Sequence, residues 1–315
     1  MLKQKEDNIM KKKIYIYSNA QPHVHDSMEM YVNTVPLSKI GIAEHLTITR
    51  NPEEADYFYM GQVGNDRFHS LSPSMFEYLK GNESRHIVDV EGEGGMPLVP
   101  WIHDCIITTM GPLKQYSNIK HLFTRPTFSH LFLDIIKNRN EEFSMPTERS
   151  FGFRGFMNHR TRAMMVHALH NSDFKKELHI NKTWSGPSPI GGDVQNKYID
   201  TMKNNLISLC PRGSGIDSVR LIETCYYQRV PVLISDHDYY LFGEDAGDLD
   251  FVYRITGEDL TPQEIRNKLN IIYNAPMQEL HERAVAAREY FDNVIRKYFE
   301  DPTFYFLNWM DNNGR

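Results

Sequence analysis

The chain has 315 residues, 40% of them hydrophobic and 24% charged, a balance that excludes disordered, collagen-like and coiled-coil classes and suits about two domains of ~150 residues each. With 35 Lys and Arg against 41 Asp and Glu the net charge is −6, which argues against a polyanion-binding surface over the whole molecule but leaves a local phosphate site open. Cys105, Cys210 and Cys225 are too few and too scattered for a disulfide framework or a zinc cluster, and no apolar run reaches the ~20 residues that span a bilayer. The opening MLKQKEDNIMKKK is polar and lacks a secretory core, so a reduced, cytoplasmic protein without an integral membrane segment is expected.

The first half alternates short β-rich runs with helix-compatible stretches. KIYIYSN (Lys13–Asn19), HLTIT (His45–Thr49), YFYM (Tyr57–Met60), HIVDV (His86–Val90) and CIITT (Cys105–Thr109) read as strands, and Ser74–Lys80 reads as helical. A polar stretch, Asn138–Arg149, with Pro146, marks a division, with domains expected over 1–146 and 147–315. The second half repeats the style. Strands are predicted at Ser150–Arg154, within Glu177–Trp184, and at Asn205–Cys210, Val230–Ser235 and Phe251–Ile255. A helix is predicted from Arg160 to His170, and SGPSPIGGD (Ser185–Asp193) is a loop by composition. Alternating strands and helices imply an α/β class with mainly parallel sheets. Near the end, Thr261, Pro262 and Glu264 form a capping-box pattern for a helix to Tyr273. Pro276 breaks it, and Met277–Phe299 reads as one long helix with Leu280, Ala284, Ala287, Phe291, Val294 and Tyr298 as a core stripe, a return of the last helices to the N-terminal domain being an expectation of the domain division.

The most informative segment is Leu206–Ile234, LISLCPRGSGIDSVRLIETCYYQRVPVLI. It reads as a buried strand, a loop with Pro211, Gly213 and Gly215, a helix capped by Asp217 or Ser218 with Val219, Ile222, Cys225 and Tyr226 facing inward, and a second buried strand. Ligands of open parallel sheets bind beyond the carboxyl ends of strands, and the start of such a helix favours an anion. Arg212 and Arg220 flank that point, and Glu223 follows Arg220 by one turn. Guanidinium groups suit phosphate and a carboxylate suits the two hydroxyls of a ribose, so the set fits a nucleoside diphosphate. The same spacing also fits an Arg–Glu pair on a helix surface beside a Gly-rich turn. GxxxxGKS and GxGxxG are both absent, which argues against P-loop and dinucleotide binding, and with them a kinase or epimerase.

CPRGSGIDSVRLIE followed by RVPVLISDHDYYLF resembles the signature of the exostosin-like glycosyltransferases: a strand, C-P-R-G, a short gap, S-x-R-x-x-E, then a P-V strand and an aspartate. KIYIYS, NPEEADYFYM (51–60) and RSFGFRGFMNHRTR (149–162) are similar to earlier elements of that family in the same order, so the resemblance runs discontinuously from about residue 13 to about residue 260. It implies a GT-B architecture, two facing Rossmann-like domains with the active site in a cleft, and inverting transfer of a sugar from a UDP-sugar to a glycan hydroxyl without a metal or other cofactor. It implies diphosphate binding by Arg212, Ser218 and Arg220, a nucleoside contact at Glu223, phosphate or donor contacts at Arg154 and Arg162, and nucleotide-sugar binding that also takes in Gly213 and Asp236. Gln228 departs from the family, many members of which have Gly there. The chain also lacks the N-terminal anchor of eukaryotic relatives, which favours a bacterial or viral enzyme. Xylose or glucuronate is the favoured donor sugar, and the acceptor and the oligomeric state stay open.

Inverting transfer needs a base for the acceptor hydroxyl. Glu91 is the first candidate and Asp89 the second, at the end of HIVDV before Gly94 and Gly95; Glu93, His103 and Asp104 are further ones, while VEGEGG also suits a solvated turn. Asp236, His237 and Asp238 form a D-x-D triplet, read here as loop structure or a donor contact rather than a metal site. Asp245, Asp248 and Asp250 fit no known cation-loop spacing, and His23 and His25 show no metal motif. Trp101 and Trp184 suit either a sugar face or the core, and Cys210 and Cys225 read as buried apolar residues. The alternative to an enzyme is a non-catalytic glycan- or nucleotide-binding subunit of the same fold.

Overall fold

The computed structural model describes residues 11–17, 45–64, 72–91, 100–110, 114, 119, 121–126, 143–170, 172–181, 192–213, 215, 217–239, 241–242 and 249–313. The chain forms two compact units, Met1–Arg125 with Arg296–Arg315, and Pro126–Ile295. Each unit carries one wholly parallel sheet, so the α/β class expected from the alternating pattern is what the chain builds.

In the first unit the strands are β1 (Lys12–Ile16), β2 (Leu46–Thr49), β3 (Tyr57–Gly64), β4 (His86–Glu91), β5 (Ile106–Met110) and β6 (Leu122–Arg125), in spatial order 2-1-3-4-5-6. Central β4 and β5 are buried on both faces, the polar His86, Asp89 and Thr108 included. Gly61, at φ 94, takes up a register shift between Tyr59 and Gln62. Ser74–Lys80 is not the helix its sequence suggests. Pro73–Met75 makes a single 3₁₀ turn, and Phe76 then adopts extended backbone and buries its ring 5.2 Å from that of Tyr17. An aromatic contact with the core outweighs local helix propensity there.

In the second unit the order of elements is β7 (Phe151–Phe156), α1 (Arg160–His170), β8 (Lys176–Asn181), α2 (Asp193–Asn204), β9 (Ile207–Pro211), α3 (Val219–Tyr226), β10 (Val230–Ser235), β11 (Tyr253–Thr256), α4 (Pro262–Tyr273) and α5 (Met277–Tyr290). The sheet order is β8-β7-β9-β10-β11. Counted from its own first strand this is 2-1-3-4-5, a doubly wound order whose switch point falls between β7 and β9. Gly152 on β7 lets α2 come close: a Cβ there would lie 2.8 Å from the Asn205 Cβ and 2.9 Å from the Thr201 carbonyl oxygen. The Glu177 carboxylate of β8 then ties down the end of α2, accepting from Thr201 Oγ1 at 2.8 Å and Asn205 Nδ2 at 2.9 Å. Both halves of the Thr261–Glu264 capping box form at the start of α4.

Helix α3 differs from the amphipathic element the sequence suggests. Residues 220–226 are all buried, Arg220 and Glu223 included, while Val219 is only half-buried. The long C-terminal helix is also interrupted. After α5 a π-helical turn, Phe291–Ile295, leads into α6 (Arg296–Glu300) and then α7 (Pro302–Asn313). The extra residue in that turn buries Ile295 where the stripe anticipated Val294. Among the described residues no helix is long and apolar enough to cross a membrane.

Candidate functional site

The residues singled out in the second half meet at the carboxyl ends of β7 and β9, the switch point of the second sheet. Strand alternation sends Phe153 into the core and leaves Arg154 on the other face. Arg220, in the first turn of α3, lies with its Cζ 4.6 Å from the centre of the Phe153 ring and 4.7 Å from that of the Tyr198 ring. Its Nη2 donates to the Arg154 carbonyl oxygen. Arg162 of α1 donates through Nη1 to the Phe156 carbonyl (2.7 Å) and through Nε to the Arg212 carbonyl (3.0 Å). Two glycines make the space. A Cβ on Gly155 would lie 3.4 Å from Arg220 Nη2 and 3.6 Å from Arg162 Nη1, and one on Gly213 would lie 3.0 Å from Arg162 Nη2.

The Arg162 and Arg220 guanidinium groups thus stand together over the Phe153 ring, Arg162 Cζ at 5.9 Å from its centre. Burial, and then the charge of Arg220, push the Arg162 guanidinium down to about 10. Arg220 Nη1 and Arg154 Nε are buried with no hydrogen-bond partner. An unsatisfied buried donor costs about 1–3 kcal/mol, more when charged. Ser218, the buried N-cap of α3, makes no side-chain capping bond.

Glu223 is 3% exposed and not ion-paired with Arg220; its Oε2 accepts the hydroxyl of Tyr198, a residue of α2. Burial pushes the Tyr198 phenol well above its ordinary value, so it keeps its proton and donates. Arg212 is engaged in an ion pair. Its Nη1 pairs with Asp236 Oδ1 at 2.7 Å and its Nε donates to the Gly215 carbonyl at 3.1 Å, both side chains being buried. Asp236 also faces Arg160 Nε at 3.4 Å and His159 Nε2 at 3.7 Å. Burial alone would raise its carboxyl, but the Arg212 hydrogen bond and charge hold it below its ordinary range. Asp238 pairs with Arg254 at 3.1 Å.

The candidate bases belong to the first unit. Asp89 is fully buried inside its sheet; Oδ2 accepts from Tyr59 at 2.7 Å and Oδ1 accepts from Thr108. Glu91 closes β4, and its side chain, like Glu93, Asp245, Asp248, His23, His25 and Trp184, lies outside what is described. Asp104 is exposed and His103 half-buried. Trp101 packs against Phe76 at 6.1 Å in the first core. Cys210 and Cys225 are buried and free, burial pushing the Cys210 thiol up to about 11. Among the described residues no three His, Cys, Asp or Glu groups gather as a metal set.

Sequence reasoning missed Phe153, Gly155 and Tyr198. The first two sit in F-G-F-R-G, where a glycine on either side of the Phe–Arg pair marks close approach; Tyr198 has no local signal, because only the packing of α2 on Gly152 brings it to α3.

No protein-family model and no curated protein sequence matches the chain. Among solved structures the chain is similar to a glycosyltransferase from Rickettsia africae ESF-5, at 9% identity and a TM-score of 0.48 over 96% of this chain and 99% of that one.

Proposed function

We propose that the protein is an inverting glycosyltransferase of exostosin-like, GT-B type that moves a sugar from a UDP-sugar to a glycan hydroxyl. The observation that carries this reading is the pair of guanidinium groups, Arg162 and Arg220, at the switch point of the second sheet, with Arg220 Nη1 buried and lacking a partner. A diphosphate satisfies that donor, and the C-P-R-G…S-x-R-x-x-E resemblance gives the same segment the same ligand.

In this reading Arg220, Arg154 and Arg162 hold the diphosphate, the open start of α3 at Ser218 adds backbone donors, and Glu223 takes the ribose. Gly155 and Gly213 leave room for the guanidinium groups. Arg212 and Asp236 shape the loop through their ion pair rather than touch the donor, a narrower role than the resemblance alone implies. The acceptor hydroxyl loses its proton to the base while its oxygen bonds to the anomeric carbon. The bond from that carbon to the diphosphate breaks on the opposite face, and the leaving charge passes to the arginines. Those cations supply the charge stabilisation that a metal supplies elsewhere. Glu91 is the base in this reading, because both Asp89 oxygens are engaged within the sheet. Xylose or glucuronate is the proposed sugar.

The test is UDP binding in EDTA. At a hundredfold excess over Kd, UDP stabilises by about 2.7 kcal/mol, read as a rise in melting temperature, and Arg220→Ala removes the rise. If neither UDP nor any other nucleoside diphosphate shifts the transition, the reading fails. The enclosure of Asp89 favours one second reading, a non-catalytic nucleotide-binding subunit. Slow UDP-sugar hydrolysis that disappears in Glu91→Gln decides against it.

A further inference from the structure

We propose that Tyr198 is a positioning residue for the donor site, its ring face aligning Arg220 and its hydroxyl holding Glu223, so that the two charges of α3 serve different parts of one ligand instead of neutralising each other. The inference rests on the nucleotide reading above and assigns a role to a residue outside the motif.

Arg220 and Glu223 are three residues apart on α3, a spacing at which opposite charges ordinarily pair. They do not pair here. The Tyr198 ring lies against the guanidinium at 4.7 Å while its hydroxyl donates to Glu223 Oε2. Phe153 flanks the same guanidinium at 4.6 Å, and Nη2 is bound to the Arg154 carbonyl. Two rings and one hydrogen bond leave Nη1 as the donor without a partner. Stacking orients a guanidinium without consuming its N–H groups, which an ion pair would consume. The platform bearing Tyr198 is rigid: α2 lies directly on Gly152 and is tied to β8 through Glu177.

The two halves of the side chain are separable. Tyr198→Phe keeps the ring and removes the hydroxyl; Tyr198→Leu removes both. Titrations of the full chain with UDP and with inorganic pyrophosphate, which lacks the nucleoside, read each half. The expected result is that Tyr198→Phe weakens UDP at least fivefold and leaves pyrophosphate within twofold of wild type, while Tyr198→Leu weakens both at least fivefold. A role in packing alone would weaken both ligands equally in Tyr198→Phe, or neither, and either result overturns the proposal. Should Tyr198→Leu fail to fold, the ratio of UDP loss to pyrophosphate loss in Tyr198→Phe decides by itself. A wild-type chain that binds neither ligand overturns the nucleotide reading and this inference with it. UDP binding that both variants leave unchanged overturns this inference alone.

Discussion

Gln228 sits at φ 56, the left-handed conformation that ends a helix and that glycine adopts without strain. Its amide N–H reaches the Cys225 carbonyl at 3.1 Å, so the cap is made in spite of the side chain. Gln228→Gly is expected to raise stability by up to about 1 kcal/mol, seen as a higher urea midpoint at unchanged slope. In the first unit burial favours the neutral form of His86. Nδ1 donates to the Asn82 carbonyl at 2.7 Å, Nε2 accepts from the Tyr17 hydroxyl at 2.9 Å, and that oxygen accepts the Tyr78 N–H at 3.2 Å. Burial lowers the His86 pKa below its ordinary 6.5. The unfolded chain therefore takes the proton first, and the stability owed to neutral His86 is full above about pH 6.5 and lost as pH falls through the folded value. In denaturant melts across that range the gap between wild type and His86→Gln is expected to narrow as pH falls; a constant gap would remove His86 from the account.

At the scale of elements, two devices hold the second unit in register with its site. Gly152 sets the distance from α2 to β7. With a methyl group 2.8 Å from Asn205 and 2.9 Å from backbone, Gly152→Ala has to push the helix outward, since backbone does not yield as a flexible side chain does. It is expected to cost about 1–3 kcal/mol and to weaken UDP binding without changing any group that touches the ligand. Arg229 is the second device, a buried guanidinium donating to the carbonyls of Met202, Lys203, Tyr227, Gln228 and Ser144, so that one side chain gathers the ends of α2 and α3 and the strand-leading segment before β7. Removing it strands several buried acceptors. Arg229→Met is expected to lower stability by about 3 kcal/mol or more, measured as a drop in melting temperature larger than that of Arg283→Met, whose partners are nearer the surface.

For the molecule as a whole, the two units differ in how the chain completes them. The second is continuous, whereas the first needs residues 296–315 to finish its core. Phe123 packs on Phe306 and Trp309, each at 5.1 Å, and Tyr298, Leu307 and Met310 are buried beside them. Five such side chains at about 1.5–3 kcal/mol each contribute as much as the whole stability of an ordinary domain. A chain ending at Ile295 is therefore expected to unfold its first unit and keep the second, visible as hydrogen exchange that is fast in β1–β6 and protected in β7–β11.

Much of this was legible in the residues alone. The alternation of strand-like runs and helix-compatible stretches determined two parallel α/β units, because parallel neighbours need a crossover connection between consecutive strands. The Thr261–Glu264 pattern determined a helix start, because a capping box is satisfied within four residues. The segment from Leu206 to Ile234 determined a strand, a loop, a helix and a second strand in order, because a buried apolar run, a Pro and Gly turn and a helical apolar spacing are each local patterns. Tertiary structure decided the rest. It paired Arg212 with Asp236, closed Asp89 inside a sheet, broke the last long helix with a π turn, and brought Tyr198 from another helix to both Arg220 and Glu223. Each of those outcomes depends on contacts between residues more than ten positions apart or on which neighbour satisfies a buried charge first, and local spacing carries no record of either.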